Sequence, residues 1–181
     1  MKEINLNELR DRAYKNAVEH GFHDKEYSNE HYMCLVMTEL AEAVQADRIG
    51  NNADFYGFEN LVFRGVDTVE AFERYIKGTV SDELADVIIR LLDYAGANEL
   101  DLPNMRTVTM QSLKLCNKYY SLSFTESIFN VSNELQLGSV GYIISNIIAI
   151  AKTKGIDNIM WFVEEKMRYN ESRPYKHYKK Y

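Results

Sequence analysis

Two pairs of acids sit three residues apart inside apolar sequence: Glu39 and Glu42 in "MTELAEAVQADR", and Glu83 and Asp86 in "DELADVIIRLLDYA". On a helix, positions i and i+3 share one face, about 5–6 Å apart at Cβ. Carboxylates are rarely buried unless they are paired, neutralised or bound to a metal. Two such pairs on facing helices would aim four carboxylates at one point. An all-oxygen donor set of that kind suits a hard cation, Mg²⁺ above all, with Mn²⁺ as a substitute.

Spacing alone does not distinguish these pairs. Glu8 and Asp11 repeat it, and so do Glu70 and Glu73; both of those pairs read as solvated faces. The surroundings differ. Leu35, Glu39, Glu42, Ala46 and Ile49 share a helical face, so two acids stand in a mostly apolar stripe. Thr79, Glu83, Asp86, Arg90 and Asp93 form a polar face opposite a core side of Leu84, Val87, Ile88, Leu91 and Ala95. The second pair is therefore less distinctive, and from periodicity alone ordinary surface acids are the plainer reading of the pairs. Arg90, one turn after Asp86, is expected to pair with that acid in preference to a phosphate.

The elements that must hold these residues read as helices throughout. Ile4, Leu9, Ala13 and Ala17 recur at helical spacing and predict a helix over about Leu6 to His20. Ser28 is an N-cap candidate for a long helix to about Ile49, ended by Gly50 with Asn51 and Asn52. The aromatic stretch "ADFYGFENLVFRG", about Ala53 to Gly65, reads as an ordered loop. A short helix follows, capped by Asp67 or Thr68 and stopped by Gly78. The segment from Thr79 is a second long helix with Gly96 near its end. The stretch Asp101 to Ser123 is ambiguous between loop, short helix and extended chain. Three more helices fit about Phe124 to Gln136, Ser139 to Lys152 and Asp157 to Asn170, with Ser139 and Asp157 as caps. No segment alternates with period two, so the expected architecture is an all-α bundle in a single domain, residues 1–181. "NELQLGSVGYIISNIIAIA" echoes the earlier helix pair weakly, without its full set of carboxylates.

Composition narrows the function classes. The chain has 181 residues, 46% of them apolar, enough for one real core. A net charge of −6 argues against general affinity for a nucleic acid polymer. A nucleotide can still bind where a metal supplies the positive charge. The two cysteines, Cys34 and Cys116, form no CxxC pattern and read as reduced core thiols of a cytoplasmic protein. The N-terminus shows no signal peptide, and the longest apolar run, Tyr142 to Ala151, is too short for a membrane span. None of the four histidines follows a Glu by three residues, which disfavours a ferritin-type di-iron centre. No P-loop, GxGxxG, HExxH or GxSxG motif occurs.

"TELAEAVQADR", "DELADVIIRLLDYA" and "FVEEKMRYNESRPY", in that order, resemble the three motif blocks of the MazG-like all-α NTP pyrophosphatase superfamily, which includes dimeric dUTPases and dCTP pyrophosphatases. The family pattern is E-E-x-x-E, then E-x-x-D, then a helix carrying Lys and Asn. Glu39 and Glu42 match the last two acids of the first block, Glu83 and Asp86 the second, and Lys166 and Asn170 the third. The resemblance spans roughly Asn29 to Tyr175, with gaps. Two departures stand out. Thr38 occupies the position where many members have a first Glu, and the distance from Glu42 to Glu83 is long, filled by the aromatic insert.

The resemblance implies hydrolysis of a nucleoside triphosphate between the α and β phosphorus atoms, giving a monophosphate and pyrophosphate. It implies Mg²⁺ held by Glu39, Glu42, Glu83 and Asp86, with Glu39 or Glu42 helping to deprotonate water. Lys166 and Arg173 would meet phosphate oxygens, and Asn170 sugar or phosphate. It also implies a homodimer or homotetramer. The alternative is a catalytically degenerate MazG-like helical protein that binds nucleotide or a protein partner without turnover; Thr38 keeps that reading open.

Other residues read more plainly. His31, two turns before Glu39, is placed among the substrate-binding candidates, although a structural histidine is the commoner case. His20 and His23 read as surface residues. Trp161 and Phe162 read as core packing rather than a base-stacking platform. Phe55, Tyr56 and Phe58 read as core or subunit packing, with base stacking as the alternative. The basic tail from about residue 171 is either a solubilising terminus or a phosphate-facing arm.

Overall fold

The computed structural model describes residues 4–175, and every regular element among them is an α-helix. The nine helices are α1 (Leu6–Glu19), α2 (Asn29–Arg48), α3 (Phe55–Phe63), α4 (Thr68–Tyr75), α5 (Val80–Ala97), α6 (Met105–Tyr120), α7 (Phe124–Glu134), α8 (Val140–Thr153) and α9 (Ile159–Glu171). Side-chain caps set most of the starts. Ser28, Thr79, Asn104, Ser123 and Ser139 each accept an N–H from the first turn of their helix, and Ser123 forms a full capping box with Glu126.

Helix α5 is central and packs against α1, α2, α8 and α9. Its Leu84, Val87, Ile88, Leu91 and Leu92 are fully buried. Each such side chain stabilises the fold by roughly 1.5–3 kcal/mol. Helix α6 lies on α8, α3 on α4, and α7 touches both α2 and α8.

Two glycines bear on where α5 lies. Gly78, at φ +74°, makes the left-handed turn before it, and its carbonyl accepts from Asn51 Nδ2 at 2.7 Å. That bond joins the end of α2 to the start of α5. Gly96 lets α1 come close, since a Cβ there would meet Tyr14 Cβ at 2.5 Å.

Several expectations are corrected. The aromatic insert is not a loop: Asp54 accepts the Gly57 N–H at 2.8 Å and starts α3, which buries Phe58 and leaves Phe55 and Tyr56 exposed. The ambiguous stretch after Asp101 is mostly α6, whose Val108, Ser112, Cys116 and Tyr119 make one buried face. Helix α9 starts from Asn158, not Asp157, and has no side-chain cap. Ile49 and Cys34 are exposed, so neither joins the core; Cys116 does. Residues 176–181 of the basic tail lie outside the described residues. Among the described residues, no helix is long and apolar enough to cross a membrane.

Candidate metal centre

The antiparallel contact of α2 with α5 brings the first acids together. Carboxylate oxygens of Glu39, Glu83 and Asp86 all lie within 4.8 Å of one another. Glu39 and Glu83 are only 4% and 7% exposed, so the surface-acid reading fails for both pairs' leading members. Glu42 is exposed and stands outside this triad, although its charge reaches both Glu39 and Glu83.

Two cations are already committed here. Lys166, on α9, is itself buried and donates to Asp82 Oδ1 at 2.7 Å and Asp86 Oδ2 at 2.8 Å. Arg90 Nε donates to Glu39 Oε1 at 3.0 Å. The arginine therefore pairs across helices with Glu39, not along its own helix with Asp86. The Gly78 N–H donates to the second oxygen of Asp82 at 2.8 Å. Sequence spacing did not single out Asp82. Its signal was indirect, because a lysine buried at position 166 must find a carboxylate.

Electrostatics show a deficit of positive charge. Burial, reinforced by Asp82 and Asp86, pushes Glu83 up to about 8, so it is largely protonated at neutral pH. Burial raises Asp82 to about 6 even with Lys166 beside it. Glu39 is raised by burial and by Asp86, against the pull of Arg90. Burial acts to lower Lys166, but Asp86 and Asp82 outweigh it and hold the ammonium charged.

A small cleft opens beside the triad, about 60 Å³ in volume, walled by Asn16, Phe22, Glu39, Asp86, Arg90 and Asn170. Arg173 also lines it, with its guanidinium 5.6 Å from the Tyr169 ring. The Oδ1 atoms of Asn16 and Asn170 are both buried and have no hydrogen-bond partner. An orphaned buried acceptor needs an explanation. Here two of them share a cleft with carboxylates, a donor set that fits a hydrated hard cation. Asn16 was not foreseen, because nothing in its local sequence marks it.

His31 does not line this cleft; it stacks on Tyr27 at 4.1 Å. His23, expected at the surface, is partly buried with Nε2 at 2.7 Å from Asp93 Oδ1 and Nδ1 at 3.2 Å from the Tyr32 hydroxyl. Thr38 is exposed, and its hydroxyl donates to the Leu35 carbonyl at 2.7 Å. Comparison of the chain with family models, curated proteins and solved structures returns no match.

Proposed function

We propose that the protein is a Mg²⁺-dependent nucleoside triphosphate pyrophosphohydrolase with a MazG-like bundle, working as a homodimer or homotetramer in the cytoplasm. One observation carries the reading: three carboxylates from two facing helices, two of them buried, converge within 4.8 Å, and the surrounding charge is short of cations. Glu39, Glu83 and Asp86 would hold the ion, with Glu42 at the exposed edge. Bound there, the metal would neutralise phosphate charge and lower the pKa of a coordinated water.

The chain's own residues supply the rest. Arg90 orients the Glu39 carboxylate, and Lys166 fixes Asp86 while offsetting part of its charge. Glu39 or Glu42 takes the proton from water. Asn170 and Arg173, on the cleft wall, are placed to meet phosphate or sugar oxygens. The cleft is far smaller than the roughly 300–1,000 Å³ of a small-molecule site, so the body of the nucleotide would lie outside it.

A second reading has specific support. Thr38 contributes no carboxylate, Glu42 stands apart from the triad, and Lys166 is occupied by two acids rather than open to phosphate. These features favour a degenerate relative that binds without turnover. Pyrophosphate release from a panel of NTPs and dNTPs, with and without Mg²⁺, decides between them. The hydrolase reading expects metal-dependent release from at least one nucleotide and a loss of about 100-fold or more in Glu39→Gln and Asp86→Asn. Absence of release from every nucleotide, with Mg²⁺ binding intact, sinks it and leaves the binding protein.

A further inference from the structure

We propose that a second cavity, on the other side of the α5 N-terminus, binds an uncharged planar heteroaromatic ring such as the base of a nucleoside. This inference does not rest on the hydrolase reading. The cavity measures about 450 Å³ and lies where α2 ends, α3 and α5 begin, and the α8–α9 turn passes. That volume falls inside the roughly 300–1,000 Å³ of small-molecule sites, which are mainly apolar with a few placed polar groups.

Its walls fit a flat ring. Phe55, Trp161 and Phe162 line it. Trp161 meets Phe55, Phe58 and Phe162 at interplanar angles of 73°, 83° and 86°, all edge to face. Among the described residues no ring stacks parallel on the indole, and the aromatic walls are held by edge-to-face contacts.

Of its polar groups, Asn52 donates to the Gly50 carbonyl, while two others lack partners. Ser81 is 4% exposed and lines the cavity, yet no hydrogen bond joins its hydroxyl to any described residue. Buried serines in these helices otherwise bond a carbonyl of the preceding turn, as Ser112, Ser127 and Ser145 do. The second polar feature is the start of α9. Asn158 makes no side-chain cap, and no described group accepts from the Ile159 or Met160 N–H. The Asp157–Asn158 turn that precedes these amides walls the cavity. The site thus offers the Ser81 hydroxyl to the edge of a ring.

The charges argue for a neutral ligand. Lys154, at the rim, is already paired with Asp47 at 2.6 Å, and Asp157 adds a negative charge beside it. Among the residues that line the cavity Lys154 is the only cation. A ring with carbonyl or ring-nitrogen acceptors and no ionised group matches this lining.

Trp161 is the only tryptophan of the chain, so its fluorescence reports on the cavity directly. The full chain is titrated with adenosine, guanosine, cytidine and uridine in the absence of Mg²⁺. The expected result is a saturable change with at least one nucleoside. Affinity should fall about tenfold in Ser81→Ala, the equivalent of one hydrogen bond to the ligand, and further in Ser81→Leu, which fills the space. If Ser81→Leu fails to fold, Phe55→Ala replaces it, since that side chain is exposed; weakened binding there supports the site equally. Glu39→Gln should bind unchanged, whatever the pyrophosphate assay shows. No saturable change with any of the four, unchanged affinity in Ser81→Ala, or a response only to triphosphates with Mg²⁺ would each overturn the proposal.

Discussion

Helices α5 and α8 are both buried through most of their length, and both carry polar residues into the core, yet they resolve that cost in opposite ways. In α8 every buried polar side chain closes on near neighbours. Ser145 donates to the Gly141 carbonyl at 2.8 Å, Asn146 Nδ2 donates to the Tyr142 carbonyl at 2.7 Å, and Asn146 Oδ1 accepts from the Tyr119 hydroxyl of α6. In α5 all the buried polar side chains but Ser81 are ionisable, with Asp82 reaching Lys166 of α9 and Asp93 reaching His23 ahead of α2, and the set stays incomplete. Glu83 has its pKa pushed up, and the Asn16 and Asn170 oxygens beside Asp86 have no partner. Burial of polar groups is therefore not itself a sign of function here. Incomplete satisfaction is the sign, and it gathers around α5, in its own Glu83 and in the facing Asn16 of α1 and Asn170 of α9, and not around α8.

The largest way to break this contrast is at Lys166. Lys166→Met removes the one cation between Asp82 and Asp86 and leaves Asp82, 1% exposed, without a counter-charge. Losing one partner of a buried pair costs about 3–5 kcal/mol, more than the pair itself contributes. Urea unfolding should show that loss, and Lys166→Met combined with Asp82→Asn should recover most of it. A single variant as stable as the parent would mean that the α5 acids tolerate burial without their cation.

The next effect separates the two helices by pH. Glu83 has a folded pKa of about 8 against an ordinary 4.5, so the folded state holds a proton that the unfolded chain gives up. Its contribution is present in full at low pH and is lost as pH rises from about 4.5 to about 8. Each fully titrating pH unit in that window weakens folding by about 1.4 kcal/mol at most. Thermal melts in chelator should therefore show a melting temperature that falls by several degrees between neutral pH and the upper end of the window. Added Mg²⁺ should flatten the slope, because a metal ligand must be deprotonated. Glu83→Gln should remove the fall between neutral pH and about 8, leaving at lower pH the slope of Asp82, raised to about 6, and should weaken the Mg²⁺ effect. A fall above neutral pH that persists in that variant would place the titrating group elsewhere.

How much of this was legible in the sequence depended on the kind of information needed. Apolar periodicity located α1, α2, α5 and α8, because a 3.6-residue stripe is a local property. It failed for α3, whose aromatic residues are spread around the helix, so that Phe58 is buried and Phe55 and Tyr56 are not. It left α6 ambiguous because its buried face is half polar, with Ser112 and Tyr119 among the contacts. The i,i+3 acids were visible, but spacing said nothing about their fate. Glu8 and Asp11 are exposed, as are Glu70 and Glu73, while Glu39 and Glu83 are buried. What distinguishes them is the helix on the other side, and that is a long-range fact. For the same reason Arg90 found Glu39 rather than Asp86, and Asn16 went unnoticed on α1.

The smallest effect tests the closed side. Tyr119→Phe deletes the hydroxyl that satisfies Asn146 Oδ1 and leaves a buried acceptor unpaired, which costs about 1–3 kcal/mol. Burial pushes the Tyr119 phenol above its ordinary range, so it is neutral through the physiological pH range. The cost should then be the same at low and high pH, and the same with or without Mg²⁺, when unfolding is compared across those conditions. An Asn146→Ala variant should add little on top of Tyr119→Phe, since the two share one bond. If the Tyr119→Phe penalty instead changed with Mg²⁺, α6 and α8 would be coupled to the acidic centre, and the division into a closed and an open helix would not hold.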